Sequence, residues 1–128
     1  MRILPDTHLL IWGATNRRRL SVEATALLTD PANQLVFSVA SIWETAIKFA
    51  LNRADFRTDP QILRRGLLDN GYEELTITAP HAIAAGALPP LHRDPFDRIL
   101  VAQASTEGCL LLSSDPLVTQ YAGWIRAV

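Results

Sequence analysis

Short apolar runs alternate with longer stretches of helical periodicity along this chain of 128 residues. Three runs, at 2–5, 34–38 and 109–113, have the length of buried strands. The clearest helix follows the second run, because its apolar residues recur at three- and four-residue steps: Val39, Ile42, Trp43, Ala46, Ile47, Ala50 and Leu51. This alternation predicts one α/β domain over residues 1–128, with three α/β/α layers around a mainly parallel central sheet.

Weaker patterns predict the remaining elements. Capping residues and prolines indicate helices that begin near Thr7, Ser21, Pro60, Ala79 and Pro95. We expect further strands at Leu75–Thr78 and, at an edge, Trp124–Val128. Ser41 and Glu44 match a capping box, and His81, which has no obvious partner in the sequence, is expected at the surface.

Composition indicates a folded protein with no bulk attraction for nucleic acid. The chain is 48% hydrophobic and 20% charged, and its formal net charge is -1. Its basic residues are almost all arginine, with Lys48 the only lysine. The cluster Arg17–Arg19 is expected in a loop, where a solvated surface is the default interpretation and contact with RNA phosphates is the alternative.

The single cysteine, Cys109, excludes an internal disulfide and is expected in the core, because it begins an apolar run. This cysteine usage fits a reducing compartment. No apolar run approaches the ~20 residues that span a bilayer, and the N-terminus has no signal-peptide pattern. We therefore expect a cytoplasmic protein without a membrane segment.

Candidate chemistry concentrates in the segment His92–Arg98, where two aspartates flank a Pro-Phe pair. Asp94 before Pro95 is typical of a helix cap, and Asp97 falls in the first turn of the helix that follows. A capping role for Asp94 and a favourable interaction of Asp97 with the helix dipole could by themselves account for both acids. Asp97, however, shares a helical face with Leu100 and Val101, an unfavourable place for an unpaired charge. We therefore expect Asp94 to be chiefly structural and Asp97 to bind a cation.

Four acids are predicted to meet at one edge of the sheet. Asp6 and Asp115 come just after strands, and Glu44 and Asp97 fall near the starts of helices at that edge. Ligands bind at the carboxyl edge of parallel sheets, where the connections open a crevice. For Glu44 an alternative remains open, which is a surface ion pair with Lys48 one turn later.

A cation would relieve the repulsion among these four carboxylates. An all-oxygen ligand set favours Mg²⁺ or Mn²⁺ over zinc. Such an ion can lower the pKa of a bound water and neutralise charge on a phosphate, which is the chemistry of phosphodiester hydrolysis. Removing the four acids from the 13 Asp and Glu residues leaves 9 against 12 Lys and Arg, so the remaining surface suits an RNA strand.

Four motifs in order resemble the PIN-domain ribonucleases, specifically the VapC-type toxins of bacterial toxin-antitoxin pairs. They are Leu-Pro-Asp6-Thr7-His8, Ser41-Ile-Trp-Glu44-Thr-Ala-Ile-Lys48, His92-Arg-Asp94-Pro-Phe-Asp97-Arg98 and Ser113-Ser114-Asp115. The resemblance implies a Mg²⁺- or Mn²⁺-dependent endoribonuclease that is usually dimeric and is inhibited by a cognate antitoxin.

The resemblance also implies residue roles. Asp6, Glu44, Asp97 and Asp115 correspond to the family's acidic quartet, with Asp6 and Asp97 expected to hold the metal and the other two to bind it or orient its waters. Four further residues are candidates to support these acids: Asp94, Ser113, Lys48 and Thr7. Ser113 stands where many members carry threonine, and its hydroxyl remains usable for hydrogen bonding.

Two other classes of function fit part of this pattern. A receiver-type phosphoacceptor domain also gathers acids and Mg²⁺ at a sheet edge, but it uses an adjacent acid pair and a late lysine, and here Asp6 stands alone. A catalytically silent PIN-like module, kept only to bind antitoxin or RNA, is the other alternative. Retention of all four acids argues against it.

Overall fold

Five strands form one parallel sheet in the computed structural model, which describes all 128 residues. The strands are β1 (Arg2–Pro5), β2 (Gln34–Ser38), β3 (Glu73–Leu75), β4 (Leu110–Ser113) and β5 (Ile125–Ala127). Seven helices connect them: α1 (Thr7–Thr15), α2 (Val22–Thr29), α3 (Val39–Ala50), α4 (Pro60–Asp69), α5 (Ala79–Ala87), α6 (Pro95–Glu107) and α7 (Pro116–Thr119). This architecture confirms the predicted α/β class.

Side chains that alternate along the strands supply a core on each face of the sheet. Leu4 of β1 packs with residues of α6, and with Val118 of α7, on one face. Ile3, its neighbour in β1, packs on the other face with Leu9 of α1 and the partly buried leucines of α2. Helices therefore cover both faces, as a buried parallel sheet requires.

The order of the strands opens a crevice beside β1. The sheet runs β3-β2-β1-β4-β5, so the chain moves outward from β1 to β3 and then returns to place β4 on the other side of β1. Connections after β1 and β4 consequently diverge to opposite sides at this point. The backbone N–H of Asp6 donates to the carbonyl of Leu112 at 2.9 Å, which joins the two strand ends that border the crevice.

The third strand differs from the sequence prediction. The pattern predicts Leu75–Thr78, but the strand is Glu73–Leu75. The Thr76 carbonyl instead accepts from Gln103 of α6 at 3.3 Å, and the Thr78 side chain caps α5. The polar residues Glu73 and Glu74 are compatible with a strand here because β3 lies at the edge of the sheet, and each glutamate pairs with an arginine.

Three local predictions are wrong. Ser38, not Ser41, caps α3, so Ser41 and Glu44 form no capping box. His81 is fully buried rather than at the surface, because its imidazole completes a capping box with Thr78 and reaches Glu107 of α6. Arg17–Arg19 forms a short 3₁₀ turn instead of a loop. None of the helices combines the length and the apolar character needed to cross a membrane.

Candidate active site

Asp6 is buried at the carboxyl end of β1, where it caps α1. Its Oδ1 accepts from the Leu9 N–H at 3.0 Å, and its Oδ2 accepts from the Ser113 hydroxyl at 2.7 Å. Burial raises the pKa of the Asp6 carboxyl, and these hydrogen bonds oppose that rise only in part. Because Ser113 ends β4, its hydroxyl links the two strands that flank the crevice.

Glu44 lies in the second turn of α3 and is only 5% exposed. Lys48 Nζ contacts its Oε2 at 3.0 Å, whereas its Oε1 is buried without any hydrogen-bond partner. The ion pair considered from the sequence therefore exists, but it neutralises only one side of a buried carboxylate. Thr7 of α1 donates to Ser41 of α3 at 2.9 Å, one turn before Glu44, and so ties the two helices together.

Asp97 lies in the first turn of α6 with an unusual protonation equilibrium. Burial, followed by repulsion from Asp94 and Glu44, raises the pKa of Asp97 to about 7. His92 opposes the rise, and Asp6 adds to it. The negative charges of Asp6 at the start of α1, Glu44 in α3 and Asp94 at the start of α6 therefore all act on the Asp97 carboxyl group.

Asp115 caps α7 after β4 and joins the same group. Its Oδ1 accepts from the Leu117 N–H at 2.9 Å, and its Oδ2 lies 3.2 Å from His92 Nε2. The Asp115 N–H donates to the Ser113 hydroxyl at 3.0 Å. Since Ser113 also contacts Asp6, hydrogen bonds connect Asp6 to Asp115.

His92 is the residue that the sequence interpretation missed. Its Nε2 lies 2.8 Å from Asp97 Oδ2, so the same imidazole contacts Asp97 and Asp115. Ligand atoms of His92, Asp94 and Asp97 all lie within 4.8 Å of one another, while Asp94 Oδ1 caps α6 by accepting from the Phe96 N–H at 2.9 Å. The sequence did contain a signal for His92, because a histidine, which often binds metal, begins the motif that contains Asp94 and Asp97.

The residues present fit a hard divalent cation. Carboxylate oxygens dominate the group, and Glu44 Oε1 is the buried side-chain polar atom without a partner. Burial, together with repulsion from Asp94 and Glu44, raises the pKa of Asp97. Lys48 is the only lysine and contacts just one oxygen of Glu44. A cation among these carboxylates would remove the repulsion and satisfy the free oxygen.

Comparison with known proteins identifies the fold. The model of the PIN domain family matches residues 3–123. A structure of VapBC2 from Rickettsia felis, bound to a DNA fragment from their promoter, aligns with TM-score 0.73 at 15% identity over 99% of this chain and 98% of that chain.

Two further solved structures have the same fold. A toxin-antitoxin complex from Klebsiella pneumoniae aligns with TM-score 0.70 at 21% identity over 98% of this chain and 96% of that chain. VapBC-1 from nontypeable Haemophilus influenzae aligns with TM-score 0.62 at 18% identity over 99% and 98% of the two chains. No curated protein matches this chain in sequence.

Proposed function

Because this chain belongs to the PIN domain family, we propose that it is a Mg²⁺- or Mn²⁺-dependent endoribonuclease that acts as a toxin and is inhibited by a cognate antitoxin. One observation supports the metal dependence above all: Oε1 of Glu44 is buried without a partner, within a group of carboxylates that has fewer cationic partners than negative charges. Membership of the PIN domain family also argues against the receiver-type phosphoacceptor domain. A cytoplasmic location, favoured by the single buried cysteine, is part of the proposal.

The proposed ligands are Asp6 and Asp97, with Glu44 and Asp115 as further ligands or as acceptors for bound waters. A divalent ion would offset the negative charge that develops on the scissile phosphate and activate water for attack. The chain itself prepares this site, because Ser113 orients Asp6 and Lys48 holds one oxygen of Glu44. Asp94 keeps the first turn of α6, which carries Asp97, in place.

The basic turn Arg17–Arg19 has no part in this proposal. Helix α1 begins beside Asp6 at the carboxyl edge and runs away from it for 9 residues, which is about 13 Å of helix. The turn therefore follows the end of α1 that lies away from the acids. One of its guanidinium groups packs 4.5 Å from the ring centroid of Trp12.

A cleavage assay on metal-stripped protein tests the nuclease function. Chelator-treated protein is given Mn²⁺ or Mg²⁺ and a panel of structured RNAs, and we expect cleavage that requires the metal. Asp6→Asn should abolish cleavage, whereas Asp30→Asn, an exposed residue just before β2 at the opposite edge, should leave it unchanged. A protein that binds RNA without cleaving it, or cleavage that persists in Asp6→Asn, would favour the silent binding module.

We propose an antitoxin partner because the structural neighbours are VapBC2, a toxin-antitoxin complex and VapBC-1. We expect expression of the wild-type chain to arrest bacterial growth and expression of Asp6→Asn not to do so. Cognate antitoxin added at equimolar concentration should stop RNA cleavage. Growth arrest by Asp6→Asn as strong as that by wild type would contradict a nuclease toxin.

A homodimer is proposed from an apolar patch next to the acids. Trp43, directly before Glu44, is 60% exposed, and Ile47 one turn later is 42% exposed. The Trp43 ring packs edge-on against Phe96, beside Asp97, at 5.2 Å between ring centroids. Sedimentation equilibrium should show a dimer for wild type and a monomer for Trp43→Glu, while Val22→Glu, which changes an equally apolar and 89% exposed residue elsewhere, should stay dimeric.

A further inference from the structure

His92 contacts two acids that approach the site from different elements. Its Nε2 lies 2.8 Å from Asp97 Oδ2, at the start of α6, and 3.2 Å from Asp115 Oδ2, in the turn after β4. No other side chain forms hydrogen bonds or ion pairs with both carboxylates. The imidazole is 11% exposed and Asp97 is 16% exposed, so their contact is largely shielded from water, whereas Asp115 is 34% exposed.

The surroundings of the ring determine which nitrogen carries the proton. Nδ1 lies 3.3 Å from the Asp94 N–H and accepts from it, so in the neutral ring the proton is on Nε2. Nε2–H then donates to Asp115 at 3.2 Å, and the same nitrogen lies 2.8 Å from Asp97 Oδ2. A protonated Nε2 has no lone pair for a metal ion, so this tautomer favours His92 as a donor to the acids over His92 as a ligand.

The backbone of His92 is held by an unusually complete set of contacts. The Tyr121 hydroxyl accepts from the His92 N–H at 3.0 Å and donates to the Pro89 carbonyl at 2.9 Å. The Arg98 guanidinium, one residue after Asp97, donates to the His92 carbonyl at 3.3 Å and to four other oxygens, those of Pro89, Tyr121, Ala85 and Leu88. The segment before α6 is thereby fixed relative to the helix that carries Asp97.

We propose that His92 is a positioning residue of the metal centre: its Nε2–H donates to Asp115, the same nitrogen contacts Asp97, and the ring so holds the two carboxylates in the orientation in which they bind a divalent ion. This inference rests on the proposed function. A hydrogen-bond donor between two carboxylates reduces the cost of holding them together and fixes their rotamers. Removing comparable partners of metal ligands typically weakens metal binding about 10–100-fold.

A Mn²⁺ titration followed by electron paramagnetic resonance tests the positioning role without RNA or turnover. His92→Leu introduces a side chain of similar bulk that has no hydrogen-bond donor. We therefore expect its Kd for Mn²⁺ to rise about 10–100-fold. His92→Gln, whose amide can place an N–H near the position of Nε2, should recover most of the affinity. Gln61→Leu, which removes an exposed amide near the start of α4 and away from the acids, should leave the Kd within about twofold of wild type.

Tyr121→Phe provides a second variant in case His92→Leu fails to fold. It keeps the imidazole but removes the hydroxyl that holds the His92 backbone, so we expect a smaller rise in Kd, about 2–5-fold. Electron spin echo modulation of bound Mn²⁺ separates the two possible roles. We expect no coupling to a directly bound ¹⁴N nucleus; such a coupling, lost in the His92→Gln variant, would make His92 a ligand and overturn the positioning role.

The outcomes of this experiment distinguish failure of the positioning role of His92 from failure of the proposed nuclease function. An unchanged Kd in folded His92→Leu overturns the inference even if wild type cleaves RNA. A Kd that depends on His92 in a protein that cleaves no RNA upholds the inference and contradicts the nuclease. Failure of wild type to bind Mn²⁺ overturns both, and it is recognised before any variant is made.

Discussion

Two polar clusters, each with buried and partly buried members, lie along helix α6, and they differ in how completely their hydrogen bonds are satisfied. The structural cluster consists of Ser38, His81, Gln103 and Glu107, around the middle and carboxyl end of the helix. The acidic cluster lies around its amino end and consists of Asp6, Glu44, His92, Asp97 and Asp115.

Every side chain of the structural cluster has a partner. His81 Nδ1 accepts from the Thr78 N–H at 3.0 Å, and its Nε2 donates to Glu107 Oε1 at 2.8 Å. Gln103 accepts from the Ser38 hydroxyl and donates to the Thr76 carbonyl. This cluster joins β2, α5 and α6, and a fully satisfied network of this kind contributes to a unique packing.

The acidic cluster instead retains an unpartnered carboxylate oxygen on Glu44 and a raised pKa at Asp97. Both clusters contain buried and partly buried side chains, so burial alone does not distinguish a structural site from a functional one. The difference lies in uncompensated charge, which costs stability in the isolated chain and becomes favourable when a cation binds. Replacements in the two clusters should therefore have different consequences, of which the largest is expected at Asp97.

Replacing Asp97 should separate activity from stability. Asp97→Asn removes a proposed ligand, so we expect RNA cleavage to fall on the order of 10³-fold or more. Because the charge on Asp97 is unfavourable without metal, the free energy of unfolding at pH 8 should not decrease. Cleavage rates and urea unfolding in chelator measure the two effects, and a stability loss large enough to unfold the protein would argue for a structural role.

Replacing His81 should have the opposite consequence. His81→Phe leaves the Glu107 carboxylate and the Thr78 N–H without their partner, so we expect the free energy of unfolding to fall by about 2–3 kcal/mol. RNA cleavage per folded molecule should remain within about twofold of wild type. Gln61→Phe, at an exposed position near the start of α4, should change neither quantity. A His81 variant that is stable but inactive would contradict the assignment of a structural role to the cluster around His81.

The acidic cluster should make the metal-free protein less stable at higher pH. The pKa of Asp97 is raised from 3.8 to about 7, so between these values the folded state binds more protons than the unfolded state, and stability falls as pH rises. We expect Asp97→Asn to gain about 1 kcal/mol relative to wild type between pH 5 and pH 8, after allowance for solvent screening. Urea unfolding with chelator at pH 5 and pH 8 measures the free energy of unfolding of both proteins. A difference between Asp97→Asn and wild type that is the same at the two pH values would contradict this prediction.

Replacing Asp94 should have the smallest effect. Asp94→Asn keeps a side-chain oxygen for the cap of α6, so we expect less than about a tenfold loss of RNA cleavage. Loss of its negative charge should lower the pKa of Asp97, which a shift of the pH dependence of unfolding would show. Loss of cleavage in Asp94→Asn, with activity retained in Asp97→Asn, would mean that the two aspartates have each other's roles.

The sequence by itself determined the parts of this protein that depend on neighbours along the chain. Periodicity and capping residues predicted β2 at Gln34–Ser38 and α6 at Pro95–Glu107, because these signals arise within a few residues of each boundary. Placement of acids just after strands and at helix starts also indicated a common edge. Those predictions required only that the sheet be parallel.

The tertiary structure decided which polar groups acquire partners. His81 contacts Glu107 at a separation of 26 residues, His92 contacts Asp115 at 23, and Ser113 contacts Asp6 at 107. None of these pairings follows from local propensity, because a hydrogen bond across the core depends on the packing of whole elements. For the same reason only the folded chain shows that one oxygen of Glu44 has no partner, whereas each polar side chain around His81 has one.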